Sequence, residues 1–152
     1  MKNKYTEQKF RRDVIKALRE TGDVAFAVES RSTANAIPDV YTTAGGGVWL
    51  ELKVTDGNST TAQFRPGQLQ MIYNICKRSG RPNAAAVLIY VRGDKVVGNG
   101  HDVIHLFTIS REDGVLKLET AASFRQPLSG PTPLWFLAPI ASLSRHVSGG
   151  VK

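Results

Sequence analysis

The chain holds a single cysteine, Cys76, and only three histidines, His101, His105 and His146. No disulfide can therefore close within it, and the usual thiolate and imidazole sets of a structural zinc site are short of ligands. No apolar run reaches the length of about 18 residues that spans a bilayer, so no membrane segment is expected. Met1-Lys2-Asn3-Lys4 shows no signal-peptide architecture, and a cytoplasmic protein is the expectation. Acids are scarce relative to bases: 13 Asp and Glu against 20 Lys and Arg, a formal charge of +7. Residues 1–20 alone hold seven basic against three acidic residues, a surplus of four. Such a balance is an electrostatic footprint for polyanions, although solubility alone also accounts for it. With 41% hydrophobic and 22% charged residues, the 152-residue chain is expected to form one domain that buries roughly two thirds of its unfolded surface.

Hydrophobic periodicity sets out the elements. Phe10, Val14, Ala17 and Leu18 fall at the spacings of one helical stripe, predicting a helix over about Tyr5 to Glu20. Three strands follow in a meander, Val24 to Glu29, Asp39 to Thr43 and Val48 to Val54, with Gly45-Gly46-Gly47 turning the last pair. Asp56 to Thr61 is a loop by composition, and Pro66 suits the first turn of a helix running to about Ser79. Cys76 on that helix, near Ile72, Tyr73 and Ile75, reads as a small core residue or a partly exposed thiol. Ala84 to Val91 is nearly all apolar, the pattern of a strand covered on both faces. Lys95 to Val97, Val103 to Ser110 and Val115 to Thr120 read as further strands. The proline-rich tail carries Leu134-Trp135-Phe136-Leu137, which packs on the sheet or forms a subunit interface.

Within this frame one constellation carries chemistry. Pro38-Asp39 opens one strand of a hairpin, and Glu51-Leu52-Lys53 lies in the other. Side chains alternate along a strand, so Glu51 and Lys53 share a face while Leu50, Leu52 and Val54 share the opposite one. A Glu-x-Lys triplet arises by chance on the order of once in two chains of this length, so the triplet alone means nothing. Its apolar setting does: an acid and a base aimed alike from a buried strand are costly unless a ligand satisfies them. The alternative, an edge strand guarded by solvated charges, conflicts with Trp49, Leu50, Leu52 and Val54, which look buried on both sides. Mg²⁺ takes oxygen ligands from one or two carboxylates and leaves room for phosphate, which would satisfy Asp39 and Glu51 together. His101, Asp102 and His105 resemble a metal cluster only superficially, because the strand pattern around them puts both histidines at an edge without further ligands.

These residues resemble the PD-(D/E)xK nuclease superfamily, whose signature is a Pro-Asp, a short spacer and an acid two residues before a lysine. The resemblance extends to Glu7 near the start of the first helix, to Gly22, the following strand and Ser30-Arg31-Ser32, and to Arg65-Pro66-Gly67-Gln68 opening the second helix. In that order the pattern is closest to Holliday-junction resolvases and related phage endonucleases, over roughly residues 5 to 92. Thr33-Ala34-Asn35-Ala36-Ile37 departs from it where those families place glycines, which bears on junction preference more than on chemistry.

The resemblance implies an α/β, restriction-endonuclease-like core (helix, three-strand meander, helix, strand) at about 5–92, with extra C-terminal strands in 93–152. It further implies a Mg²⁺-dependent endonuclease, with Mn²⁺ substituting, that acts on branched DNA as a homodimer; a phage-encoded protein would work in the host cytoplasm. Asp39, Glu51 and the Leu52 carbonyl are the expected metal ligands, with Glu7 as an outer ligand or a ligand to a second metal. Lys53 should stay charged beside carboxylates and act by orienting water and stabilising phosphate charge. Lys9, Arg11, Arg12, Arg31, Gln68 and Lys77 are the expected DNA contacts, with a solvated surface role open for Arg31 and Gln68. Two further readings remain: a nicking or repair endonuclease with the same site, and a DNA-binding module that has lost cleavage.

Overall fold

The computed structural model of the chain describes residues 5–28 and 36–125. Its first element is α1, Glu7–Glu20, whose buried stripe is Phe10, Val14, Ala17 and Leu18. The helix starts where it does because Thr6 caps it, its hydroxyl oxygen accepting the Lys9 N–H at 3.2 Å. Then come β1 (Ala25–Ala27), β2 (Val40–Thr42), a 3₁₀ turn over Ala44–Gly46, and β3 (Val48–Asp56). A second 3₁₀ turn, Ser59–Thr61, leads to α2 (Gln68–Ser79), followed by β4 (Ala85–Arg92), β5 (Val103–Glu112) and β6 (Val115–Arg125). Asp113 and Gly114, both at positive φ (52° and 78°), make the tight turn between the last two strands.

The strands form one six-stranded sheet in the order β1-β2-β3-β4-β5-β6. All neighbours are antiparallel except β3 and β4, which run parallel and so need the crossover that α2 supplies. Pleating divides the apolar residues between two clusters. Leu50, Leu52, Ala86, Leu88 and Tyr90 pack with the stripe of α1, whereas Ala85, Val87, Ile89 and Val91 pack with Ile72 and Cys76 of α2. The two helices therefore cover opposite faces, and β4 is buried on both. Burying a leucine such as Leu50 or Leu52 contributes about 1.5–3 kcal/mol. Those two side chains anchor β3 against α1 and leave its other face free to carry Glu51 and Lys53.

Helix, three-strand meander, helix and strand is the order expected, with a C-terminal hairpin added. Several details differ. The first strand is only three residues long, and α2 begins at Gln68, two residues after Pro66. Residues 95–97 are not a strand. Their backbone wraps the Asp94 carboxylate instead: Oδ1 accepts the N–H groups of Val96 and Val97 at 2.8 Å and of Gly98 at 3.1 Å. Gly98 is required there, since a Cβ would lie 2.6 Å from Val103 Cγ2 and 2.7 Å from the His101 carbonyl. The other Asp94 oxygen is 2.7 Å from His105 Nε2, and His105 Nδ1 is 2.7 Å from Ser123 Oγ. His105 is thus buried mid-strand rather than at an edge, because β5 is flanked by both β4 and β6. Burial alone would raise the Asp94 pKa, but the hydrogen bonds from His105 and the three N–H groups hold it below the usual range. Cys76 is a core residue, its thiol donating to the Ala85 carbonyl at 3.4 Å. The segment Leu134 to Leu137 lies outside the described residues.

Candidate active site

The β2–β3 register pairs Val40 with Leu50, which carries Asp39, the residue before β2, to a position opposite Glu51. The Leu52 N–H donates to Asp39 Oδ2 at 3.0 Å, tying the aspartate to β3 just past the end of the regular ladder. On a strand the N–H and C=O of one residue face the same neighbour, so the Leu52 carbonyl is directed to the same side as Asp39. Asp39, Glu51 and Lys53 all lie on the α2 face.

Gln68, in the first turn of α2, holds the site together. Its Nε2 donates to Glu51 Oε1 at 3.1 Å, while its Oε1 accepts from Lys53 Nζ at 3.0 Å and from the Arg65 N–H at 2.7 Å. Lys53 Nζ stands 3.7 Å from Glu51 Oε1 and over the Phe64 ring, 5.1 Å from its centroid. Glu51 is 2% exposed, Lys53 8% and Gln68 5%. A solvated role for Gln68 is thereby replaced by an internal one.

Glu51 Oε2 is buried and accepts no hydrogen bond among the described residues. Burial first, then the neighbouring Asp39 carboxylate, push the Glu51 pKa up to about 9, with Lys53 opposing. The cleft above these groups, about 340 Å³, is also lined by Glu7, Arg65, Phe64 and Ile37. Glu7 stands at its rim with an exposed side chain. Its carboxyl is raised by desolvation, with Lys53 opposing, Asp39 adding and Arg65 and Arg11 opposing.

A buried carboxylate oxygen without a hydrogen-bond partner, beside a second carboxylate, is a hard-oxygen donor set of the kind a hard cation satisfies. Among the described residues no three His, Cys, Asp or Glu side chains converge into an all-protein cage. The set therefore fits a cation that keeps water and takes substrate oxygens, as Mg²⁺ or Mn²⁺ does, and not a structural zinc.

The expected DNA contacts divide. Arg11, one helical turn beyond Glu7, lines a cleft with Glu7, Gln8, Asp39 and Arg65. Arg12 lines a separate groove with Lys16, Arg19 and Ala27. Lys77 is exposed in the last turn of α2, nine residues and roughly 13 Å of helix from Gln68. Lys9 is half-buried, and Arg31 falls outside the described residues. Arg65, which lines both clefts, is a site residue that was not among those expected. The signal was its place just before Pro66, since a helix start that aims Gln68 inward brings its neighbour along.

No helix among the described residues is long and apolar enough to cross a membrane. No family model matches the chain, and no curated protein matches it. Among solved structures, the Holliday junction resolvase of the archaeal hyperthermophile Archaeoglobus fulgidus is similar, at 15% identity over 74% of this chain and 85% of that one, with a TM-score of 0.46. The arrangement in hand is a mixed α/β sheet, its meander joined to a parallel strand through a crossover helix and with one helix on each face, that of a restriction-endonuclease-like fold.

Proposed function

We propose that the protein is a metal-dependent DNA endonuclease of the PD-(D/E)xK type, and that its substrate is branched DNA, the four-way junction above all. One observation carries the reading: Glu51 Oε2 is buried without a partner, in a polar cleft, beside Asp39 and within reach of Lys53. A retired site has no physical reason to keep two carboxylates at close quarters, which speaks against a binding module without activity.

In this reading Asp39, Glu51 and the Leu52 carbonyl would hold Mg²⁺ or Mn²⁺, with Glu7 serving as an outer ligand from the rim. The ion, when bound, supplies neutralisation of phosphate oxygens and acidification of a coordinated water. Lys53, paired with Glu51 and Gln68, presents a fixed positive charge to the phosphate as negative charge builds on it. Gln68 fixes the distance between the acid and the ammonium, so neither has to reorganise during the reaction. The preference for junctions rests on the sequence pattern shared with resolvases, and paired cuts across a junction would require a homodimer.

The decisive assay compares a supercoiled plasmid with a synthetic four-way junction, each with Mg²⁺, Mn²⁺ or EDTA. Paired, metal-dependent cuts in the junction support the resolvase. Metal-dependent nicking of the plasmid with no junction preference moves the nicking or repair nuclease to first place, and binding without cleavage leaves only the inactive module.

A further inference from the structure

Two clefts meet at this site and share a wall. Glu7, Asp39 and Arg65 line both; Glu51 and Lys53 belong to the first, Arg11 to the second, which measures about 350 Å³. Arg11 reaches the second cleft from α1 and Arg65 from the segment before α2, so two separate elements deliver a guanidinium to one place. Neither guanidinium makes an ion pair or hydrogen bond among the described residues. Three other arginines are committed, Arg19 to the Ala25 carbonyl, Arg81 to the Gly46 and Gly47 carbonyls and Arg92 to Asp56 and the Tyr5 carbonyl, whereas Arg12 and Arg78, equally unpaired among the described residues, do not line this cleft. Arg65 is moreover coupled to the chemistry by its backbone, because its N–H donates to the same Gln68 oxygen that accepts from Lys53.

Resting on the nuclease reading above, we propose that Arg11 and Arg65 form a second phosphate subsite, which takes the phosphodiester adjacent to the scissile one on the same strand. A guanidinium offers a planar fork that matches two phosphate oxygens, whereas the Lys53 ammonium is a point charge. The two clefts thus divide the work: Lys53 and the carboxylates at the bond to be cut, the arginines at its neighbour. Cleavage then depends on a charged phosphate one step along the strand. The substrate class is an internal phosphodiester, and a bond at a strand end that lacks this neighbour is a poor substrate.

The test uses the full chain and synthetic junctions carrying one neutral methylphosphonate, placed one step 5′ or one step 3′ of the mapped cut. For the wild type, the neutral linkage on one side only is expected to lower kcat/KM by about ten- to hundredfold, the loss of a charge-assisted contact. Arg65→Ala and Arg11→Ala should lower kcat/KM similarly on unmodified DNA and lose the sensitivity to methylphosphonate, so that the two changes are not additive. Arg65→Lys, which keeps charge but not the fork, should fall between. Equal wild-type rates on both modified junctions overturn the subsite, and so does an Arg65→Ala variant that stays as sensitive as the wild type. If the wild type cuts no DNA with either Mg²⁺ or Mn²⁺, the nuclease reading fails and takes the subsite with it. A wild type that cuts but ignores the modification refutes the subsite alone. The wild-type arm needs no variant to fold.

Discussion

Gln68 Nε2 donates to Glu51 Oε1 at 3.1 Å, so a neutral amide carried by α2 orients a buried acid carried by β3. The same amide accepts from Lys53 through its oxygen, and the acid and the base of the site are spaced by one side chain. Gln68→Ala should lower activity and metal affinity by about ten- to hundredfold, the usual effect of removing a group that orients a ligand. Gln68→Glu should do worse than alanine, because a third carboxylate would face Glu51. Mn²⁺ titration calorimetry beside turnover measurements checks both, and an alanine variant with wild-type values would show that the amide orients nothing.

Asp39→Asn and Glu51→Gln each delete a charge while keeping volume. Each should reduce metal-dependent cleavage to below about 1% of wild type, with DNA affinity measured in Ca²⁺ nearly unchanged. Substantial residual cleavage by either variant would remove these residues from the metal site.

Metal-free stability should depend on pH through Glu51. Its folded pKa is pushed up to about 9, from an ordinary 4.5. The folded state therefore holds this proton more tightly than the unfolded chain does. The associated stability is fully present below about pH 4.5 and is lost as pH rises toward 9. Glu51→Gln lacks this titration, so in EDTA its stability relative to wild type should rise steadily between pH 5 and pH 8. Mg²⁺ should weaken or reverse that rise, since it binds the carboxylate. Urea unfolding of both proteins at pH 5, 7 and 8, with and without Mg²⁺, measures the difference directly.

Lys53→Met should lose most turnover while keeping metal affinity, because the lysine acts on charge that develops in the transition state. If Mn²⁺ binding collapsed along with activity, Lys53 would instead be a support for the carboxylates.

Away from the site, Asp94→Ala should cost about 3–5 kcal/mol, since it strips His105 of its partner and leaves three N–H groups without an acceptor. Thermal unfolding reads the loss, and activity per folded molecule should stay the same.

Features with a local period were legible in the chain itself. The stripe of α1, the alternation that puts Glu51 and Lys53 on one face, and the nearly all-apolar β4 all follow from spacings within a few residues. What escaped was made by distant partners. His105 looked like an edge residue because the strand that flanks it, β6, brings Ser123 from 18 positions away. Val96 and Val97 looked like strand because nothing in their type announces that Asp94 gathers their N–H groups. Gly98-Asn99-Gly100 is the available clue, a run of turn formers directly after the expected strand. The sequence leaves Gln68 open between a contact at the site and a solvated helix start, because its two-sided hydrogen bonding depends on the packing of α2, which no periodicity encodes.

The parallel pairing of β3 with β4 also orders the assembly of the site in time. Val40 and Leu50 meet across a hairpin, whereas Trp49 and Ala85 are brought together only after a much longer excursion of the chain. Loop closure favours the short contact first, so the hairpin bearing both acids can form before α2 docks. Until Gln68 and the buried face of α2 arrive, however, Asp39 and Glu51 stand opposite each other in water, with the hairpin register and the Leu52 N–H placing the aspartate but no amide to orient the Glu51 carboxylate. The hairpin thus gathers the acids, and the docking of α2 desolvates and orients them, so the competence of the site depends on a contact of longer range than the one that brings the acids together.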